Sequence, residues 1–380
     1  MASKPEARST WEQLQDFSHE QVSASSKQNA AKRAILLFDT TARMWERGNG
    51  LTAGEQRMEH DDNPPKLSPA ALRPLYRHVW YYNLKIPLFY GLLGSAGYVA
   101  WTTSQVWVER LMYVVMGYLW MSIVTFMHDC THGVLFKARW KNWAFGLFST
   151  LPLIITFIAF KEDHLEHHRY NRSPKDPDAF TMGDRTLADF LLFYAYVLLG
   201  GILTIVQFVM LYPAQKFRGT KLAVHGAELA LRVVVYTGLL LWTRQLGVLD
   251  RFLKLWLIPG YIFSLLNSMR FIAEHYDTPW EAGQLLGTRT ILSNQAHSFF
   301  WNNINYHIGH HVYPGVPWYN LQKLHAALGP EMARQGAVVE RSYLTVFWQA
   351  CLRGPESRGR NAQARADRIA RVAQIGGGIH

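Results

Sequence analysis

Between Asn303 and Pro314 the chain carries His307, His310 and His311. Two earlier stretches repeat the theme: His128-Asp-Cys-Thr-His132 and His164-Leu-Glu-His167-His168. Eight of the sixteen histidines fall in these three short windows. Neutral imidazole is the commonest protein ligand for iron, copper and zinc, so the clustering points first to metal. One ion does not need so many donors, because a catalytic zinc typically keeps three protein ligands and an open position. Two ions sharing them would have about four each, with room for oxygen or water. The His-Glu-x-x-His arrangement that gives a zinc hydrolase its base is absent. A nitrogen-rich, thiolate-free site suits iron and oxygen chemistry, with copper the other metal that the ligand type allows.

Helical spacing brings these side chains together. His128 and His132 are four residues apart and share one face of a helix, within reach of one metal. The second cluster combines an i, i+3 with an i, i+4 relation and is expected to converge on one face as well. Asp129 lies off its histidines' face and reads as an outer acceptor that orients a ring, a role for which Asp163 and Glu166 are candidates beside the second cluster. His275, preceded by Glu274, stands alone in sequence. Its place at the end of the last apolar run matches that of His128 at the end of an earlier one, so it is read as a further ligand. His19, His60, His78, His225, His297 and His380 lack such a placement and read as ordinary residues.

The elements that must carry the clusters are apolar. Mean hydropathy near zero suggests a soluble chain, but polar ends dilute a middle of long apolar runs rich in Trp, Tyr and Phe, the signature of membrane spans. Runs at about 86–103 and 107–127 form an expected transmembrane hairpin. The run 143–160 contains Pro152 and lies between two clusters. If both bind one centre they lie on the same side, so this run should dip in and return or lie along the interface. The stretch 187–212, with Gly200-Gly201, is expected to be interfacial or re-entrant, bent at the glycine pair, because the basic loop Lys216 to Lys221 after it belongs in the cytoplasm. Runs at about 229–249 and 252–269 complete four spans with both termini inside. The expected organisation is a polar cytosolic segment (1–80), a membrane domain holding the three clusters (81–330) and a basic cytosolic tail (331–380). An amphipathic helix is expected near 28–45, and the polar first 30 residues carry no secretory signal. The net charge of +11 reads as basic segments facing anionic lipid, not as nucleic-acid binding. Cys130 and Cys351 cannot build a four-cysteine iron–sulfur site, so electrons must come from outside.

The three histidine windows, separated by paired apolar runs, resemble the three histidine boxes of the membrane fatty acid desaturase superfamily over about residues 80 to 330. The resemblance implies an all-α integral membrane protein: about four spans, interfacial helices and a cytosolic helical cap with two irons bound by histidine. Carried over position by position, it makes His128, His132, His164, His167, His168, His307, His310 and His311 iron ligands, and His275 matches the extra histidine between boxes two and three. The Asn-x-x-x-His pattern of some acyl desaturases is not met at His275, where Phe271 stands in the asparagine position, although Asn303 stands four residues before His307. The implied chemistry is dioxygen-dependent removal of hydrogen from an unactivated methylene of a lipid or fatty acyl chain in an apolar tunnel. Electrons would come from a ferredoxin, rubredoxin or cytochrome b5 type of protein. Acyl desaturation is the leading expectation. Carotenoid or alkyl hydroxylases and ketolases, which Asp176-Pro-Asp178 resembles, and decarboxylases that form terminal alkenes share the boxes. A silent receptor or a metal transporter is the remote alternative, and ligands at span ends instead of within spans weigh against a transporter.

Overall fold

The structure, a computed structural model, describes residues 67–179 and 185–357. The helix expected at 28–45 and the arginine-rich end of the tail lie outside them. After α1 (Pro69–Leu75), two helices form an antiparallel hairpin, α2 (Lys85–Thr102) and α3 (Val106–Thr131). Ala96 and Ala100 of one pack on Tyr113 and Met116 of the other. A second hairpin is made by α8 (Gly219–Gln245) and α9 (Leu249–His275), turning at Gly247, whose φ of +70° explains the glycine. Helix α3 runs parallel to α9 and close to it: a Cβ at Gly117 would stand 2.6 Å from Ile262. Small residues at such crossings let helices pack where lipid supplies no hydrophobic drive.

By length and composition α3, α8, α9 and the helix Leu187–Lys216 qualify to cross a membrane. The chain is an integral membrane protein. Helix α3 has 26 residues and α9 has 27, lengths of about 39–41 Å against a hydrocarbon core of roughly 30 Å. The surplus leaves room for His128 and His275, at matching ends of the two helices, to stand outside a layer of that thickness. Helix α2, with Lys85 at its start and three glycines along it, is less apolar than the expected first span and falls short of the same test.

The run with Pro152 bends back as expected. α4 (Arg139–Thr150) and α5 (Phe157–Tyr170) meet at 103°, with Ile154 in the left-handed region at the corner (φ 62°). Glu228 of α8 accepts hydrogen bonds from the Phe157 and Ile158 amides, at 2.6 and 3.2 Å. These are first-turn donors with no partner inside their own helix, so α5 is capped from another element.

The glycine-containing run is a long helix by composition, yet its two ends meet the same end of the molecule. α6 (Leu187–Val206) begins beside α9's last turn, where Phe193 packs on Tyr276. It leaves helical geometry at Leu199 (φ −121°, ψ 19°), and Gly201 donates to Ser264 at 2.6 Å. It then turns back: Gln207 reaches Asp163 at 3.1 Å, and Tyr212, the first residue of α7 (Tyr212–Lys216), reaches Glu166 at 2.8 Å. Both partners flank His164 on α5.

A cap covers the histidine ends. It contains α10 (Gly283–Leu286), α11 (Gln295–Phe300), α12 (His307–Val312), α13 (Leu321–Gln335) and α14 (Tyr343–Arg353), with a parallel pair of three-residue strands, β1 (Arg289–Ile291) and β2 (Val338–Glu340). The pair is the one departure from an all-helical reading among the described residues. The folded body continues beyond residue 330, since Ala350 of α14 packs with Phe193, Ile272 and Tyr276.

Candidate metal centre

All nine expected ligand histidines converge, in two groups. His128, His132, His164, His168 and His310 offer nitrogens within 4.8 Å of one another. His167, His275 and His311 form a second group, and His307 joins it through His275. The second cluster, expected to converge on one face, is divided instead, and so is the third. In an α-helix a four-residue step nearly restores direction, whereas a three-residue step turns the side chain about 60° the other way. On α5, His164 and His168 therefore face the first group and His167 the second. On α12, His307 and His311 face the second and His310 the first.

The spacings suit metal. Nε2 atoms approach at 3.0 Å in His132–His164, His168–His310 and His307–His311, and at 3.1 Å in His275–His307. Two nitrogens bound at right angles to one ion at about 2.1 Å each would be about 3.0 Å apart. His128 is buried with both ring nitrogens lacking a hydrogen-bond partner, a costly arrangement unless something else binds there. Burial pushes His307, His310 and His311 well below their ordinary pKa. Burial, reinforced by the charge of Lys161, takes His132 to about 3. These four imidazoles are thus held neutral, the form that offers a lone pair to a metal, whereas the carboxylates of Asp176 and Asp178 raise His167 against its burial.

The candidate outer residues divide. Asp129 stands 3.5 Å from His128 Nδ1, too far for a good hydrogen bond. Asp163 is fully buried and Glu166 ties α5 to α7 through Tyr212 and Lys216, so both position the helix. Asn303 donates to the Trp318 carbonyl at 3.2 Å and reaches no histidine in this arrangement. Glu274 is fully buried and within 3.5 Å of His307 Nε2. Two partners were not singled out from sequence. Asp176 Oδ1 stands 2.9 Å from His167 Nδ1 while its Oδ2 accepts from the Arg172 amide at 2.8 Å. Gln284 Oε1 accepts from His311 Nδ1 at 2.9 Å, and its amide donates to the His168 carbonyl. A ligand histidine ordinarily has such an acceptor on its other nitrogen. For Asp176 that rule and the carboxylates of Asp-Pro-Asp after the second cluster were the available signal; for Gln284 there was none.

A cavity of about 590 Å³ leads from the histidines into the apolar layer, its walls including Trp120, Ile155, Leu199, Phe208, Trp256 and Tyr261. His128, His164, His167, His275 and His307 line it as well. The site can thus present one segment of a long apolar molecule to a metal-binding cluster.

Fold and site together define a membrane-embedded helical protein whose histidine clusters are able to hold metal beside an apolar cavity. The chain belongs to the fatty acid desaturase family, whose model matches residues 105–343. An sn-1 oleoyl-lipid 12-desaturase of Arthrospira platensis is 26% identical over 222 residues, covering 51% of this chain and 61% of that protein. An sn-1 acyl-lipid omega-3 desaturase (ferredoxin) of Synechocystis is 23% identical over 282 residues, covering 67% and 75%. A fatty acid conjugase of Calendula officinalis is 21% identical over 342 residues, covering 77% and 87%. The match to the 12-desaturase thus spans about three fifths of that relative's length.

Proposed function

We propose that this chain is an oxygen-dependent membrane oxidase that desaturates a fatty acyl chain, with two irons held by His128, His132, His164, His168 and His310 on one side and His167, His275, His307 and His311 on the other. The observation that carries this reading is the convergence of nine imidazoles, eight buried and His132 partly so, on the cavity's end, in two sets with metal-like spacing. The family's iron pair supplies the oxidising power with dioxygen. Two hydrogens leave adjacent methylenes, and two electrons and two protons from a donor complete the reduction of dioxygen to two waters. The protein's share is to hold the ligands in place, keep the acyl chain in a dry apolar slot and fix which methylene meets the clusters. The desaturases among the relatives support the acyl substrate, and the one named with ferredoxin supports a small external electron carrier; a rubredoxin or cytochrome b5 type of donor would suit the same role. Lys216 and Lys221 pair with Glu166 and Glu162 of α5, at the histidine end, which supports a cytoplasmic site.

The test is a lipid and hydrocarbon profile, by gas chromatography and mass spectrometry, of cells expressing the chain against a His310→Ala control. New unsaturated acyl chains of unchanged length, absent from the control, are expected. A new hydroxyl or keto group would move the protein to the hydroxylase or ketolase branch. An alkene one carbon shorter would make it a decarboxylase, and no product in any class would contradict the oxidase reading.

A further inference from the structure

Glu274 makes more contacts than an ordinary helical ion pair requires. It is fully buried at the end of α9. Tyr343 donates to Oε1 at 2.9 Å and Arg270, one turn earlier, donates to Oε2 at 2.8 Å. Those bonds would satisfy a structural carboxylate. Yet Oε2 also stands 3.5 Å from His307 Nε2, the same nitrogen that lies 3.1 Å from His275 Nε2 and 3.0 Å from His311 Nε2. Several lone-pair atoms aimed at one another repel unless a cation lies among them, and 3.5 Å is too long for a good hydrogen bond from His307. The neighbouring Nδ1 atoms of His275 and His307 have no hydrogen-bond partner, so no contact on the far side of either ring explains its direction.

The two groups are also unequal. The first offers five imidazoles and the second four. Glu274 shares a three-residue donor set with His275 and His307, and its carboxylate would bring the second group to five donors. Building on the two-centre reading above, we infer that Glu274 is a direct carboxylate ligand of the second iron. The two centres would then differ in charge, with neutral imidazoles alone around one and an anionic oxygen at the other. A hard oxygen donor favours the more oxidised state of a metal. Arg270, which also lines the cavity, would position the carboxylate without contacting metal.

The inference can be tested without turnover, on purified full-length protein loaded anaerobically with ferrous iron. Wild type, Glu274→Gln and Arg270→Gln are compared for iron per chain, retention against a chelator, and Mössbauer spectra. Glu274→Gln is expected to keep one iron as wild type does, to hold the other at least about tenfold more weakly, and to change one quadrupole doublet only. Arg270→Gln is expected to retain both irons. Wild-type affinity and spectra in Glu274→Gln would overturn the inference, and so would equal loss of the second iron in both variants, the result for a purely structural ion pair. Should Glu274→Gln fail to accumulate, an infrared difference spectrum of iron-loaded against apo wild type, with 13C-labelled glutamate, decides. A shifted glutamate carboxylate stretch is expected, and unmoved bands would overturn the inference. Wild type that binds fewer than two irons would instead sink the two-centre reading itself.

Discussion

The histidines divide between two sites by a rule as local as the helical repeat. An i, i+4 pair stays together, while the residue at i+3 crosses to the other group, and this happens on both α5 and α12. The histidines that converge were legible in the sequence by their windows, and so was His275, because the end of an apolar run is easy to place. The division was not, since it depends on where α3 and α9 bring their own histidines. The direction of the Asp176 and Gln284 side chains was illegible for a related reason: they sit in a loop and a four-residue helix, where direction has no period to read, so the Asp-Pro-Asp carboxylates gave a candidate acceptor without its partner. Asp176 nevertheless has a testable weight. In Asp176→Asn the amide either faces the His167 Nδ1–H or turns away from it, and the Arg172 amide loses a charged acceptor. Metal affinity at the second group should fall about 10- to 100-fold, measured by chelator competition, with the first group unaffected. Unchanged affinity at both groups would show that Asp176 does not orient His167.

At the scale of elements, sequence reasoning succeeded where a constraint was global. Two clusters that must share a side forced the 143–160 run to return, and α4 and α5 meet at 103°. The glycine stretch kinks at Leu199, just before Gly200, and contacts the histidine side near both ends, but by length and composition it qualifies as a span, which the expectation denied it, while the run at 86–103 does not. The device that holds the α4–α5 corner was not foreseeable, because its parts are 71 residues apart. Glu228 caps α5, Arg232 lies 3.4 Å from that carboxylate, and its guanidinium donates to Thr150 at 2.7 Å. Replacing Glu228 with Gln leaves Arg232 without its counter-charge and loosens the helix that carries His164, His167 and His168. A loss of roughly 3–5 kcal/mol is expected for breaking one side of such a buried pair, read as a lower midpoint of thermal unfolding in detergent. The double variant with Arg232→Gln should recover part of that loss. An unchanged midpoint in the single variant would remove the pair from the account.

For the molecule as a whole, the matching ends of α3 and α9 carry His128 and His275, the bent α4–α5 pair brings the second histidine cluster back to them, and the cap closes over both. The result is a buried donor set at the end of an apolar cavity, in a chain that belongs to the fatty acid desaturase family. The central claim is that these histidines form two separate iron centres. The most direct measurement is the iron content of purified protein by mass spectrometry, for wild type, His310→Ala from the first group and His311→Ala from the second. Two irons per chain are predicted for wild type, and loss of iron from a different centre in each variant while both still insert in the membrane. A single iron in wild type, or full occupancy in either variant, would contradict it.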